Sequence, residues 1–219
     1  MNRDKLKSSL GSFLSLMCDL MLLNILWLIC SLPVLTAGPS TCAMFACMLK
    51  IARDELGEST VKTFFRAFRE NFRNAFFYGI IALAAIAIVY VDITFALAQE
   101  GSLRMVFAVV SGIASAIVLT FISYVFALQA RYENTFTGEI KNSFILAVCA
   151  PGKTFLMWFI YLIPVVVTVF LPLETVLRVG FLYLMLGVSL PVYLCSRILR
   201  NIFDKFIKNE KEEIGDGQD

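Results

Sequence analysis

The sequence predicts an all-α, polytopic membrane fold, and three observations carry that prediction. Hydrophobic residues make up 59% of the chain and charged residues only 16%, against about 45–50% and about 25% in an ordinary soluble domain. Apolar runs at about 12–36, 76–98, 105–128, 155–171 and 179–196 are each long enough to cross a bilayer. Of the 19 Lys and Arg residues, 17 fall in four segments and only Arg104 and Arg178 lie in the turns at 99–104 and 172–178.

The elements follow in order. The head carries Arg3, Lys5 and Lys7 and leads into the first run, which contains Asp19. A short run, Pro39–Ala52, has 14 residues and covers about 21 Å, less than a hydrocarbon core of about 30 Å. Charge settles its role. Lys and Arg prefer the cytoplasmic side of short loops, and the other rich segments are 50–73, 129–153 and the tail from Arg197 to Lys211. All four share a side only if the short run returns the chain to it. The expectation is therefore six helices across the membrane, the second one short, with both termini cytoplasmic. Residues 1–207 form a single helical membrane domain, and 208–219 a polar, disordered tail. A cleaved signal peptide is the alternative for residues 1–37, but that apolar stretch exceeds a signal core and contains Asp19.

Between the second and third spans lies STVKTFFRAFRENFRNAFF, residues 59–77. On a helical wheel Val61, Phe64, Phe65, Phe68 and Phe72 form one stripe, and Lys62, Arg66, Arg69 and Arg73 line its flank. Aromatics interleaved with cations suit nucleic acid, but a site between two spans does not, so no nucleic-acid partner is expected. Two readings stay open. The stripe sinks into an anionic bilayer while the four cations reach phosphates, or it packs on neighbouring spans.

Two connections echo each other. Ala52-Arg53-Asp54-Glu55 follows the second crossing and Ala130-Arg131-Tyr132-Glu133 the fourth, with Lys62 and Phe65 matched by Lys141 and Phe144. The pattern points to a parallel internal repeat, with chance similarity as the competing account.

Polar residues inside the spans are the candidate site. Asp19 and Asp92 each cost about 2.5–3.5 kcal/mol at mid-bilayer, and less near the ends. They either line a solute path or form structural pairs, Asp19 with Arg197 or Arg131 and Asp92 with Arg104 or Arg178. Asn24, Trp27 and Ser31 share a helix face. Gly38-Pro39 turns the chain into the short helix, where Ser40 and Thr41 are placed to bond free N–H groups. That N-terminus is a candidate anion or polar-ligand site; a tight turn between helices is the bland alternative. Histidine is absent and the six cysteines show no CxxC spacing, so no metal, no cofactor and no enzymatic role are expected.

These residues carry a resemblance. Asn24, Trp27, Pro33, Thr36 and Gly38, then Arg53-Asp54-Glu55, the run Phe64-Phe65-x-x-Phe68-x-x-Asn71-Phe72, and Ala130 to Asn134 with Lys141-Asn142 resemble the YesL-like family of bacterial (Firmicutes) membrane proteins of unknown function. The resemblance implies a bacterial cytoplasmic membrane and, through genomic association with carbohydrate uptake, sugar ABC transporter subunits or other membrane proteins as partners beside anionic lipid. It supplies no catalytic residues. The expected function is an accessory or scaffold membrane component; the alternative is a small-solute transporter or channel with a path near Asp19, Asp92 and the Gly38–Thr41 turn.

Overall fold

The computed structural model describes residues 3–132, 136–170 and 173–216, with side chains in these ranges except at 3–10, 136, 165, 167–170, 173, 175–179 and 205–216. The described residues are helical, with no strand. The helices are α1 (Arg3–Cys30), α2 (Ala37–Ala52), α3 (Thr60–Glu70), α4 (Phe72–Ala98), α5 (Gly101–Gln129), α6 (Phe136–Cys149), α7 (Pro151–Phe170), α8 (Leu173–Leu186) and α9 (Ser189–Asp216). Four stretches are long and apolar enough to cross a membrane: Gly11–Cys30, Val34–Ala52, Phe72–Ala98 and Gly101–Gln129. Two bent pairs, Thr137–Cys149 with Pro151–Pro164 (103°) and Gly180–Leu186 with Ser189–Asp204 (40°), raise the number to as many as six if each pair counts as one span.

The short helix is the centre of the bundle. α1, α3, α4, α5 and α9 all touch α2, and every α2 residue from Cys42 to Leu49 is buried. A 3-10 turn at Val34–Thr36 extends α2 toward the opposite side, so the crossing stretch is longer than the apolar run alone. Being wrapped in protein, α2 need not match the lipid thickness. Lipid tails are as apolar as leucine, so burial in the bundle is driven by close packing and hydrogen bonds rather than by escape from water. Small residues supply that approach. A Cβ added to Gly38 would lie 2.2 Å from the Ala75 carbonyl oxygen and 2.8 Å from Gly79 Cα, so α2 and α4 cross backbone to backbone. Gly38 thus serves a helix crossing inside α2; the turn itself lies upstream, after Cys30.

Each bend has a local cause. Pro151, at the first position of α7, lacks an N–H where none is needed, and the Thr154 hydroxyl reaches back to the Ala147 and Ala150 carbonyls, 3.1 Å each. Tyr124 Oη of α5, 2.8 Å from the same hydroxyl, pins the bend to the bundle. At the α8–α9 break, the Leu184 carbonyl accepts from Asn24 Nδ2 (2.7 Å), while Val188 N and Ser189 N donate to Asn24 Oδ1 (3.0 and 2.9 Å). One α1 side chain thus satisfies three groups that a helix interruption leaves open.

α9 runs on through Asp216. KNEKEE consists largely of good helix formers, and the helix above it supplies the nucleus.

Candidate functional site

One end of the bundle collects the basic segments. Arg53, at the C-terminal end of α2, and Arg131, just after α5, both reach Asp204 of α9; Arg53 makes the close ion pair and Arg131 lies at 3.7 Å. Arg200 donates to the Ala52 carbonyl at the end of α2, a position where a cation also complements the helix dipole. The Arg131 guanidinium sits over the Tyr132 and Phe203 rings, 5.3 and 5.4 Å from their centroids. Burial is the main cause that lowers its pKa below the usual arginine value, while Tyr132 opposes the shift. The two arginines of the echoed motifs therefore meet on one carboxylate. We name this end of the molecule the basic end.

Beside it a cleft of about 690 Å³ opens between α1, the α2–α3 connection and α9, lined by Ser12, Ser15, Asp19, Asp54 and Tyr193 among others. Asp19 accepts a hydrogen bond from the Thr60 hydroxyl at 2.6 Å. This corrects the expected ion pair. Arg131 is engaged by Asp204, and Thr60, at the first position of α3, comes closer to Asp19 because α3 folds back over α1.

α3 divides the phenylalanine stripe. Thr60, Thr63, Phe64 and Ala67 are buried, whereas Phe65 and Phe72 are exposed by 48% and 39%. The rings of Phe64, Phe68, Phe72 and Phe76 run in a ladder with centroids 5.5–6.4 Å apart, continuing across the break at Asn71 into α4. Lys62, Arg66, Arg69 and Arg73 are exposed, and Arg66 pairs with Glu58 at 3.0 Å. The stripe is thus split: Phe64 is packed inside the bundle, and Phe65 and Phe72 are exposed beside the cations.

The other candidates are used up in packing. Trp27 Nε1 donates to the Thr41 hydroxyl at 3.0 Å. The Ser40 and Thr41 hydroxyls donate to the Thr36 and Ala37 carbonyls, 2.8 and 2.7 Å. This corrects the expectation that they cap free N–H groups: in mid-turn the nearer partner is the carbonyl four residues back. Asn24 is committed to the α8–α9 break. Gly38, Ser40 and Asn24 are buried, and Trp27 and Thr41 are half-buried. Asp92 is half-buried on α4 and has no hydrogen bond or ion pair to a described residue, Arg104 included. The Arg178 side chain, and with it the expected pair to Asp92, lies outside the described residues.

The sequence reading missed a buried carboxylate. Glu139, in the first turn of α6, has no exposed surface. Tyr78 Oη of α4 donates to its Oε2 at 2.5 Å, and Gln129, the last residue of α5, lies against it. Gln129 continues to Asn71, which ends α3 and begins α4. A signal was available: pairing Lys62 with Lys141 and Phe65 with Phe144 sets Glu139 opposite Thr60, and both turn out to bond a side chain on another helix.

Residues 20–93, from mid-α1 to near the end of α4, match the family described as "Protein of unknown function, DUF624". A relative, the "Uncharacterized protein YesL" of Bacillus subtilis (strain 168), is 27% identical over 154 residues, spanning 68% of this chain and 72% of the relative. Over these residues the chain is similar to the YesL-like family. The matched stretch contains Asn24, Trp27, Gly38, Thr41, α3 and Asp92, and ends before Glu139. No solved structure matches the chain.

Proposed function

We propose that this YesL-like protein is an accessory or scaffold component of the bacterial cell membrane, working through its basic end on the cytoplasmic side with both termini there. The observation that carries the reading is the contrast between the two ends of the polar inventory. Asn24, Trp27, Ser40 and Thr41 are committed to bonds within the bundle, whereas Lys62, Arg66, Arg69 and Arg73 stand exposed beside Phe65 and Phe72. Aromatic rings at the acyl boundary with cations at phosphate height fit anionic lipid, and each cation near such a surface contributes about 1 kcal/mol. The same face suits neighbouring membrane proteins, and the family resemblance makes sugar ABC transporter subunits the partner class to look for first. No reaction is assigned to it.

A solute transporter is the second reading, and the Asp19 cleft favours it: its volume admits a small polar solute, and Asp19, Asp54, Ser12 and Ser15 offer oxygen ligands. The buried length of α2 stands across any continuation toward the other end.

Affinity purification of the full chain from native membranes after crosslinking separates the two. The scaffold reading expects specific membrane proteins to co-elute, and to be lost when Lys62, Arg66, Arg69 and Arg73 are all changed to Glu. Recovery of the protein without partners, together with solute flux in proteoliposomes that Asp19→Asn abolishes, would transfer the assignment to transport.

A further inference from the structure

Two guanidiniums at the basic end share a single carboxylate oxygen. Arg53 Nη2 and Arg131 Nη2 both approach Asp204 Oδ1, the second at 3.7 Å. A guanidinium holds its N–H donors in a flat fork, and a bidentate partner offers an oxygen to each prong. One oxygen does not fill two forks. Arg53 Nε and Arg131 Nη1 are accordingly buried without an acceptor among the described residues. Glu55 is close enough to act on Arg131 by its charge, yet it bonds neither guanidinium among the described contacts. A buried donor with no partner is rare in a folded chain and points to an acceptor that the chain itself does not supply.

The three side chains differ in how firmly they are held. Arg131 is fixed over the Tyr132 and Phe203 rings. Arg53 stands at the end of α2, where Arg200 holds the neighbouring Ala52 carbonyl. Their side chains are only 19% and 18% exposed, Arg53 and Arg131 respectively, whereas that of Asp204 is 53% exposed. Asp204 is thus free to swing into water while the two forks stay in place.

We propose that Arg53 and Arg131 form a phosphate-binding site, and that Asp204 is the internal anion that a phosphate displaces. A phosphate presents oxygens to both forks at once, where Asp204 presents one. The position fits as well. Arg53 directly follows the apolar stretch Val34–Ala52, and Arg131 lies just beyond Gly101–Gln129, which places both at the height of lipid headgroups. Two sources share this chemistry, the phosphate of an anionic lipid and phosphate free in solution. The site is separate from the exposed cations of α3 and stands whether or not those touch lipid.

Thermal unfolding of the full chain in a maltoside detergent, which brings no phosphate of its own, tests the site. Lys62, Arg66, Arg69 and Arg73 are changed to Gln throughout, which removes α3 as a second place for an anion. Inorganic phosphate, with ionic strength matched by chloride, is compared with phosphatidylglycerol in mixed micelles. A ligand that binds only the folded chain raises the midpoint by mass action. A rise of a few degrees with inorganic phosphate assigns the site to soluble phosphate, and a rise with phosphatidylglycerol alone assigns it to a lipid headgroup. No rise with either overturns the proposal. So does a rise that survives the added changes Arg53→Gln and Arg131→Gln, which are expected to abolish it. If that variant does not accumulate, Asp204→Asn decides. With the internal anion gone, the midpoint is expected to start lower and to rise further with the same ligand; an equal or smaller rise overturns the site.

Discussion

Asn24 and Gly38 show how much of this molecule's polar and small-residue content serves helix contacts. Replacing Asn24 by Leu leaves the Leu184 carbonyl and the Val188 and Ser189 N–H groups without their partner. Each buried group left unsatisfied costs about 1–3 kcal/mol, so a loss on the order of 3 kcal/mol or more is expected, read as a lowered thermal midpoint in detergent. Gly38→Ala places a methyl against the α4 backbone and is expected to cost about 1–3 kcal/mol; an unchanged midpoint would show that α2 and α4 do not cross there as closely as described. At this scale the sequence displays the residues but hides their partners. Asn24 and Trp27 stand out on one face of α1, yet Asn24 bonds a helix break more than 160 residues away, a distance no local pattern encodes.

At the scale of elements, hydropathy and charge made the spans legible, including the return of the short run. What they could not show is that α2 is short because it is surrounded. A wheel drawn for this stripe also assumes a single apolar environment, whereas Phe64 is buried and Phe65, with Phe72 at the start of α4, is exposed. Nor did the reading extend the helix search to 136–149, whose modest apolar run was absorbed into a connection; with α6 unseen, Glu139 looked like a loop residue. The exposed side of α3 carries its own prediction. Changing Lys62, Arg66, Arg69 and Arg73 to Gln is expected to reduce the anionic lipid retained through purification, as measured by mass spectrometry, while leaving the thermal midpoint nearly unchanged because all four side chains are exposed. Equal retention would remove the lipid-binding role.

Across the whole molecule, each of the two echoed connections carries a helix, α3 after α2 and α6 after α5. The arginines that head the two connections converge on Asp204, so α9 ties both units together. Asp204→Ala leaves two partly buried guanidiniums facing each other; because Asp204 is half exposed, the expected cost is about 1 kcal/mol, accompanied by faster proteolysis of the α9 end. Meeting of the α2, α5 and α9 ends at one place requires an even number of crossings between Arg53 and Asp204, and the whole functional reading rests on that parity. Thiol-accessibility mapping in intact cells tests it most directly, with single cysteines at Gly57, Glu100 and Asp216 in a cysteine-free background. The account predicts that positions 57 and 216 react only after the membrane is permeabilised and that position 100 reacts from outside. Labelling of 57 and 216 from opposite faces would contradict it.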